Sequence, residues 1–332
     1  MKAAVYEKYG DADVLEIREI DRPEPADGEI LVKTCAAAVT TADWRLRAAA
    51  FPGIMALPGR LMFGLRRPRN GILGNAFAGR VVARGKDVTR FRLGDAVFGF
   101  AGAGAHAEYL VMDADGAVAL KPENIGYDEA AGVAFGGLSA LVFLRDFAAV
   151  KPGDKVLVNG ASGGVGVWAV QLAKHLGAEV TAVAGTDNLD LLHCLGAARV
   201  IDYREEDISA SAERFDVVLD TVGKLPWAKA KHILKKTGRY VPLEFGGREI
   251  VQALLAGLTG GPRIVLNVSG DTREDLEVLA GLLDKGDIRS VVDSRVPLED
   301  IAAAHRRVET RHARGAVIVE MDSNETGKAQ TA

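Results

Sequence analysis

A glycine-rich turn is the part of this chain whose residue types and spacing are best suited to chemistry. Glycines stand at positions 160, 163 and 166, between the aliphatic run 156–158 and the helical pattern 167–176. A strand, a glycine turn and a helix in this order place free backbone N–H groups at a helix N-terminus, where a pyrophosphate binds. The predicted cofactor-binding residues of the turn are Gly160, Ala161, Ser162, Gly163, Gly164, Val165 and Gly166.

The spacing of this turn departs from the commoner Gly-x-Gly-x-x-Gly pattern, because Ala161 stands where that pattern has its first glycine. A turn that only lets a helix pack closely on a strand is the alternative interpretation. The run 179–184 supplies a second strand after the helix. The resulting βαβ unit favours a dinucleotide site.

The residues after this second strand predict which nicotinamide cofactor binds. An NAD site usually has Asp or Glu at the strand end, as an acceptor for the ribose 2′-hydroxyl. Here the strand end has no carboxylate, and Asp187 is expected to be a solvated loop residue. The neutral side chains of Thr186 and Asn188 are compatible with a 2′-phosphate. We therefore expect NADPH as the cofactor, with NADH possible.

Composition limits the class of protein. The 332 residues, 48% of them hydrophobic, predict an ordinary globular protein of about two domains. A net charge of -4 without a basic block argues against nucleic acid, and no apolar run reaches membrane-spanning length, so neither partner is expected. Cys35 and Cys194 supply neither a disulfide framework nor a structural zinc site. A cytoplasmic location is the expectation.

The first part of the chain is β-rich. Its predicted strands lie at residues 2–6, 15–20, 29–38, 78–84, 96–100 and 107–111. Short strands at close spacing favour a compact antiparallel barrel. Residues 51–72 form an insertion in which Met, Phe and Leu stand beside arginines. This insertion is either a surface loop or a mobile cover over a substrate cleft.

The second part alternates strands and helices, which predicts a doubly wound parallel sheet. Asp128 is the predicted N-cap of a helix that Gly136-Gly137 interrupts. Predicted strands follow at residues 199–201, 215–220, 239–243 and 263–268, and predicted helices at 189–195 and 227–234.

The C-terminal part has the strand character of the first part. Asp271 or Thr272 caps a predicted helix, a second helix covers 298–308, and a closing strand covers 315–320. We expect this part to return to the N-terminal domain, and residues after 321 to be disordered. The predicted domains are 1–125, completed by about 268–322, for the substrate, and 126–267 for the nucleotide.

Motifs along the whole chain resemble those of the medium-chain dehydrogenase/reductase superfamily, in its zinc-free quinone oxidoreductase-like branch. The residues that carry the likeness are Asp43-Trp44, 74–79, 94–99, 107–109, 136–140, 160–166, 171–174, 195–197, 201–203 and 220–223. The resemblance implies a Rossmann domain beside a GroES-like, partly open barrel. It also implies a homodimer through the edge of the nucleotide domain.

The resemblance also bears on zinc. Zinc alcohol dehydrogenases of the superfamily have a Cys ligand where this chain has Thr40, and a Gly-His-Glu motif where it has Gly74-Asn75-Ala76. Zinc is bound in proteins by thiolate, imidazole or carboxylate groups. We therefore expect no catalytic zinc. Quinones and α,β-unsaturated carbonyls accept hydride without a Lewis acid, because the product charge is delocalised, so such a small molecule is the expected substrate.

The resemblance assigns roles to individual residues. Thr40 and Ser139 are the candidate catalytic residues, each with an alternative structural role as a strand-end or mid-helix hydroxyl. The predicted substrate pocket contains Trp44, Asn75 and His106, although a surface position for His106 is the alternative. Asp43 is expected to cap a helix that begins at Trp44. The remaining predicted cofactor residues are Thr186, Asn188, Tyr203, Thr221, Val222, Leu266 and Asn267.

Two other functions remain open from the sequence. One is an NAD(P)-dependent alcohol dehydrogenase or enoyl reductase that acts on a specific metabolite. The other is a redox sensor that binds NADPH without turnover. The glycine turn and the hydroxyl residues are compatible with each of them, so the sequence does not separate them.

Overall fold

A computed structural model describes residues 1–51, 56–258 and 260–321 and divides the chain into two compact units. The first unit comprises Met1–Phe51, Ala56–Leu138 and the chain from Asp271 onward; the second comprises Ser139–Gly270. Residues 52–55 of the predicted insertion and the tail predicted to be disordered lie outside the described residues. None of the described helices combines the length and apolar character that crossing a bilayer requires.

The structure contains the following β-strands in chain order. They are β1 (Lys2–Val5), β2 (Glu16–Glu19), β3 (Glu29–Val39), β4 (Ala76–Arg84), β5 (Ala96–Phe100), β6 (Tyr109–Asp113), β7 (Val118–Leu120), β8 (Lys155–Asn159), β9 (Glu179–Ala184), β10 (Arg199–Asp202), β11 (Phe215–Asp220), β12 (Leu234–Pro242), β13 (Arg263–Ile264), β14 (Val292–Pro297) and β15 (Ala316–Glu320).

The α-helices are mostly short. They are α1 (Thr41–Ala48), α2 (Ala56–Phe63), α3 (Tyr127–Ala131), α4 (Ala134–Val142), α5 (Gly166–His175), α6 (Leu189–Leu195), α7 (Trp227–Ile233), α8 (Gly247–Leu258), α9 (Arg273–Asp284) and α10 (Ile301–Glu309).

The long strand β3 organises the first unit. The sheet runs in the order β14-β15-β3-β4-β5-β7, and β6 also pairs with β3. The first half of β3 pairs with β6 and its last four residues pair antiparallel with β15. This pairing confirms that the C-terminal part returns to the N-terminal domain. The barrel core contains Ile30, Val32, Phe77, Val97 and Val118.

The second unit is built on a parallel sheet in the order β10-β9-β8-β11-β12-β13. This is the doubly wound order in which the connections reverse between the two central strands, and ligands bind beyond the carboxyl ends there. The central strands β8 and β11 are aliphatic and buried, as strands covered on both faces must be. The predicted fold class is confirmed.

Two predicted details near the start of the helical part are wrong. Asp128 is not an N-cap: Gly126 precedes α3 and donates its N–H to Glu129 Oε2 at 3.0 Å, while Asp128 pairs with Arg295. The Gly136-Gly137 pair does not interrupt α4. A side chain at Gly137 would lie 3.1 Å from a Leu279 methyl group. This glycine therefore permits helix packing rather than ending a helix.

Other differences concern element ends. The strand predicted over 263–268 is only β13, although Val265 still donates its N–H to Tyr240 O at 2.8 Å. The strand predicted over 107–111 starts two residues later, because Lys33 pairs with Tyr109. Helix α8 had no counterpart among the predicted elements; its large apolar residues are exposed, whereas Ala256 lies in the core of the second unit.

A carboxyl group at the start of α9, that of Asp271, makes the stability of the protein depend on pH. Thr272, not Asp271, is the N-cap, and its Oγ1 accepts the Asp275 N–H at 3.2 Å. Burial, and then the charge of Asp275, raise the pKa of Asp271 to about 6. The folded state therefore favours the protonated form of Asp271. Its contribution to the free energy of unfolding is fully present below the unfolded pKa near 3.8, and it is lost as the pH rises through about 6.

Replacing Asp271 with Asn is therefore expected to stabilise the protein at pH 7, because it removes the charge that burial penalises. The gain should be roughly 1–3 kcal/mol at pH 7 and close to zero at pH 4. Urea unfolding of wild type and D271N at both pH values measures it. Asp87→Asn, at an exposed position, is the control. An Asp271→Asn effect that is equal at the two pH values would contradict the prediction.

Candidate active site

The glycine turn closes the end of β8 against β9. Gly160 has a φ of 78°, a left-handed value that favours glycine, and the N–H groups of Gly160 and Ala161 both donate to Val183 O at 3.1 and 3.0 Å. Helix α5 begins at Gly166, and its N-cap residue Val165 forms no side-chain capping bond. Val167 N donates to Gly163 O at 3.1 Å, and the helix N-terminus, which has no side-chain cap, presents its positive dipole end to an anion.

Three glycines of the turn, Gly160, Gly163 and Gly166, have different steric roles. A Cβ at Gly166 would lie 2.2 Å from Gly160 O, and a Cβ at Gly160 would lie 2.5 Å from Val222 Cγ1. A Cβ at Gly163 would meet only Gly160 O, at 3.5 Å. Gly166 is thus required for the contact of helix and turn, and Gly160 for the contact with the next loop. Gly163 is where the backbone is open to an approaching group.

The loop after β11 is fixed to the same turn. Thr221 Oγ1 donates to Asn159 O at 2.9 Å, with Gly160 O at 3.1 Å. Val222 packs on the space above Gly160. The predicted residues Thr221 and Val222 therefore lie beside the glycine turn.

A buried carboxylate organises this loop, and sequence reasoning assigned it no role. Asp220 Oδ1 accepts hydrogen bonds from Asn159 Nδ2 at 2.9 Å and Gly223 N at 3.1 Å. Its Oδ2 accepts from Leu225 N at 2.9 Å and from the Tyr240 hydroxyl at 3.1 Å. Its position at the end of a predicted strand was the available signal. Its partners come from three separate segments, so only the fold reveals them.

The carboxyl ends of β9 and β10 bring together the residues predicted to select the cofactor. The Thr186 hydroxyl donates to Asp202 Oδ2, and Arg204 N donates to Asp202 Oδ1 at 2.9 Å. These two hydrogen bonds, in this order, lower the pKa of Asp202. Tyr203 is half exposed, while Asp187 is exposed as expected. Asn188 ends the short turn that precedes α6.

Arg204 is a cation at this strand end that sequence reasoning missed. Its Nη1 lies 3.4 Å from Thr186 Oγ1, and its guanidinium lies 5.9 Å from the centre of the Tyr203 ring. A Cβ built on Gly185 would be 3.5 Å from Arg204 Nη2. Arg204 follows Tyr203 directly, and this adjacency was the signal that could have identified it.

In the first unit, a buried polar cluster connects the end of β3 to the start of β4. Thr40 follows β3 and Asn75 precedes β4; the antiparallel pairing of Ala38 with Ala76 places them side by side. Asn75 Nδ2 donates to Thr40 Oγ1 at 3.1 Å. Asp43 Oδ2 accepts from Thr40 N at 2.8 Å and Thr40 Oγ1 at 2.6 Å, and its Oδ1 accepts from Gly74 N at 2.9 Å.

This geometry corrects one prediction and bears on another. The helix begins at Thr41, not at Trp44, with Thr40 as its N-cap and Asp43 as the reciprocal partner in a capping box. The Thr40 hydroxyl proton is held by the Asp43 carboxylate. A catalytic role for Thr40 as a donor to substrate stays a prediction, and this hydrogen bond does not favour it.

His106 is fully buried, so the alternative of a surface histidine is wrong. Its Nε2 lies 3.2 Å from Ala38 O, and its ring contacts that of His305 edge-to-face with centroids 5.6 Å apart. Burial lowers the pKa of His106, against a smaller opposing effect of the Asp43 charge. Burial therefore favours the neutral form of the His106 imidazole.

The other predicted residues are placed as follows. Trp44 packs against the core cluster that contains Val39, Leu298 and Ile301. Ser139 is buried within α4. Leu266 packs against the core of the second unit, and Asn267 is exposed after β13. The structure thus brings the turn, Thr221 and Val222 together, and separately brings Thr40 and Asn75 together.

The donor set around Thr40 does not fit a zinc ion. Its members are a hydroxyl that accepts a hydrogen bond from Asn75, an amide, and a carboxylate whose two oxygens accept hydrogen bonds from Thr40 and from Gly74 N. Across residues 1–51, 56–258 and 260–321, no three or more His, Cys, Asp or Glu side chains are arranged to hold a metal.

Comparison with known proteins agrees with this architecture. Residues 26–123 match the family model of the alcohol dehydrogenase GroES-like domain, and residues 195–319 match that of the zinc-binding dehydrogenases. The chain is 33% identical to the chloroplastic quinone-oxidoreductase QR1 of Triphysaria versicolor, over 96% of this chain and 98% of that protein.

Two further likenesses extend over nearly all of the chain. It is 33% identical to a chloroplastic NADPH-dependent alkenal/one oxidoreductase of Arabidopsis thaliana, over 96% of this chain and 79% of that protein. The solved structure of the quinone oxidoreductase from Coxiella burnetii superposes with a TM-score of 0.85 at 32% identity, covering 97% and 99% of the two chains. The chain therefore belongs to the medium-chain dehydrogenase/reductase superfamily, in its quinone oxidoreductase-like branch.

Proposed function

We propose that this protein transfers hydride from NADPH to a quinone or an α,β-unsaturated carbonyl compound without zinc. The observation that carries the proposal is the Thr40–Asp43–Asn75 cluster. Thr40 and Asn75 stand where zinc enzymes of the superfamily carry ligands, and their side chains are hydrogen-bonded to each other and, through Thr40, to the Asp43 carboxylate. Names of similar quinone and alkenal reductases support the same substrate class.

The residues of the second unit fit NADPH. The N-terminus of α5, which has no side-chain cap, and the neighbouring Gly164 N–H would hold the pyrophosphate, and Thr221 and Val222 would border it; Gly163 N already donates to Gly160 O at 3.1 Å. When bound, NADPH supplies the hydride. The protein orients the acceptor, excludes water and stabilises the developing negative charge, which a conjugated acceptor delocalises over its own atoms.

Selection of NADPH over NADH is proposed to rest on Arg204. Neither Thr186 nor Asn188 carries a positive charge, whereas the Arg204 guanidinium lies next to Thr186 at the strand end. A guanidinium forms strong, charge-assisted hydrogen bonds with phosphate oxygens. Asp202 is the competing group, because its carboxylate would accept hydrogen bonds from the ribose hydroxyls of NADH.

Replacing Arg204 with Gln is expected to raise the KM for NADPH about tenfold and leave that for NADH unchanged, since one charged hydrogen-bond partner is lost. Steady-state kinetics with both cofactors measure it. Arg214→Gln is the matched control, because Arg214 is exposed in the same unit and donates to the carbonyls of Ser211 and Glu213. Equal changes with both cofactors, or a wild-type preference for NADH, would contradict the assignment.

The activity is tested by following oxidation of NADPH with EDTA-treated protein. The acceptors are a benzoquinone, a 2-alkenal and the saturated aldehyde of equal length. Turnover of the first two without the third is the expected result. Turnover of only the aldehyde, or loss of activity with EDTA, would instead support an alcohol dehydrogenase. Tight NADPH binding with no acceptor reduced would support a sensor.

A homodimer is also part of the proposal, supported by an exposed apolar face on α8. Its members are Ile250, Val251, Leu254, Leu255 and Leu258, which are 42 to 84% exposed. An apolar patch of this kind marks an association surface.

Introducing charge on this face is expected to yield monomers. Leu254→Glu with Leu258→Glu should halve the mass measured by light scattering after gel filtration, because each partner would bury charge. Leu93→Glu, at a residue 64% exposed elsewhere in the chain, is the control. A wild-type monomer would refute the dimer.

A further inference from the structure

A second exposed apolar region lies in the first unit and differs in character from α8. It comprises residues 56–69, here called the basic apolar segment. Its exposed side chains are Leu57, Leu61, Met62, Phe63 and Leu65, each 40 to 63% accessible. Arg66, Arg67 and Arg69 are exposed beside them. Large apolar side chains grouped with cations at one surface require an explanation beyond the scattered exposure that is normal.

The segment has a defined internal structure. The Tyr9 hydroxyl donates to Gly64 O at 2.7 Å, and Arg69 N donates to Phe63 O at 2.8 Å. Gly64 has a φ of 124°, and a Cβ there would lie 2.0 Å from Arg67 O, so the turn requires glycine. The backbone of the segment is thus fixed to the first unit by these hydrogen bonds, while its large apolar side chains remain exposed.

The charge of the segment is entirely positive. It contains Arg60, Arg66, Arg67 and Arg69 and no Asp or Glu, within a chain of net charge -4. Arg60 lies over the Tyr9 ring at 5.5 Å and donates to Leu65 O at 3.3 Å. The nearby carboxylate Glu7 already bonds Arg18 at 2.7 Å. The basic apolar segment is therefore positively charged, whereas the protein as a whole has a negative net charge.

We propose that the basic apolar segment docks the protein on the surface of a bilayer that contains anionic phospholipid. Apolar side chains of such a segment enter the boundary between headgroups and acyl chains, while the arginines bind the phosphates. A second copy of the chain fits less well, because a two-fold interface would oppose arginines to arginines. Helix α8 differs, since it carries both Arg248 and Glu249.

This surface association is distinct from membrane spanning and is independent of the proposed activity. It differs from the expectation from composition that no membrane partner exists. That expectation considered only long apolar runs. A segment of fourteen residues with interrupted apolar character escapes such a search.

The test is co-sedimentation of the full chain with vesicles of phosphatidylcholine, with and without phosphatidylglycerol. Binding is expected only to the anionic vesicles and should fall with salt. Arg66→Gln with Arg67→Gln should weaken it about thirtyfold, at about fivefold for each basic residue near the surface. Leu61→Ser with Met62→Ser should also reduce it. Lys231→Gln with Lys236→Gln, a charge-matched change at exposed positions in the other unit, should not.

Thermal unfolding of each variant separates lost binding from lost folding. Equal binding to neutral and anionic vesicles, no binding at low salt, or equal loss in the control would each overturn the proposal. Self-association that the Leu61→Ser, Met62→Ser variant abolishes, without vesicle binding, would assign the surface to a second copy instead.

Discussion

Replacing Gly166 with Ala is expected to weaken NADPH binding about a hundredfold and to destabilise the nucleotide-binding unit. The added methyl group would lie 2.2 Å from Gly160 O and 2.7 Å from two backbone atoms of Ala161. Backbone atoms cannot rotate away as a side chain does, so α5 must move from the turn. Overpacking of this kind costs about 1–3 kcal/mol, and displacement of a binding group by about 1 Å weakens function about a hundredfold.

Fluorescence titration with NADPH and thermal unfolding measure the two effects. Gly163→Ala is the matched control for stability, because its methyl group would meet only Gly160 O, at an ordinary 3.5 Å. That variant should unfold at the wild-type temperature, whatever it does to the approach of phosphate. A Gly166→Ala protein that binds NADPH as wild type does would show that the turn is not the pyrophosphate site.

Replacing Asp43 with Asn is expected to destabilise the first unit by about 2–4 kcal/mol, because it leaves a buried donor facing an amide N–H. Asp43 is 1% exposed and accepts hydrogen bonds from three groups: Thr40 N, Thr40 Oγ1 and Gly74 N. An Asn side chain has one acceptor oxygen, and its NH₂ group must then face one of these donors. Chemical denaturation measures the change.

Asp11→Asn provides the control, since Asp11 is exposed and accepts a single hydrogen bond from Asp13 N at 3.1 Å. Asn replaces Asp well at such a cap, so stability should hardly change. If D43N were as stable as D11N, the hydrogen bonds of Asp43 would not hold this part of the barrel together.

Much of the fold could be predicted because its signals are local in sequence. The glycine turn follows an aliphatic run and precedes a helical pattern, so the strand, the turn and the helix are each encoded within about ten residues. The closing strand was recognisable by its β-branched character, and its pairing with β3 confirms the return of the chain. The predicted ends of helices and strands were less accurate, because strand register and helix capping determine where these elements end.

Resemblance to a family also set limits on the chemistry before any contact was known. The hydroxyl at position 40 and the amide at position 75 argued against zinc ligands at those positions. The same reasoning placed the cofactor residues at strand ends. It assigned no role to Arg204, which lies just after a matching motif, or to Asp220, which lies within one, because the resemblance gave no function to the charge of either side chain.

What the sequence by itself determined is the fold class and the place of the glycine turn, because each depends on neighbouring residues. Tertiary structure alone decided which distant groups meet: Thr40 with Asn75, Asp220 with Tyr240, Arg204 with Thr186. It also decided that His106 is buried and that the apolar residues of 56–69 are exposed. Burial and hydrogen-bond partners are properties of the packed chain, and periodicity in one segment does not encode them.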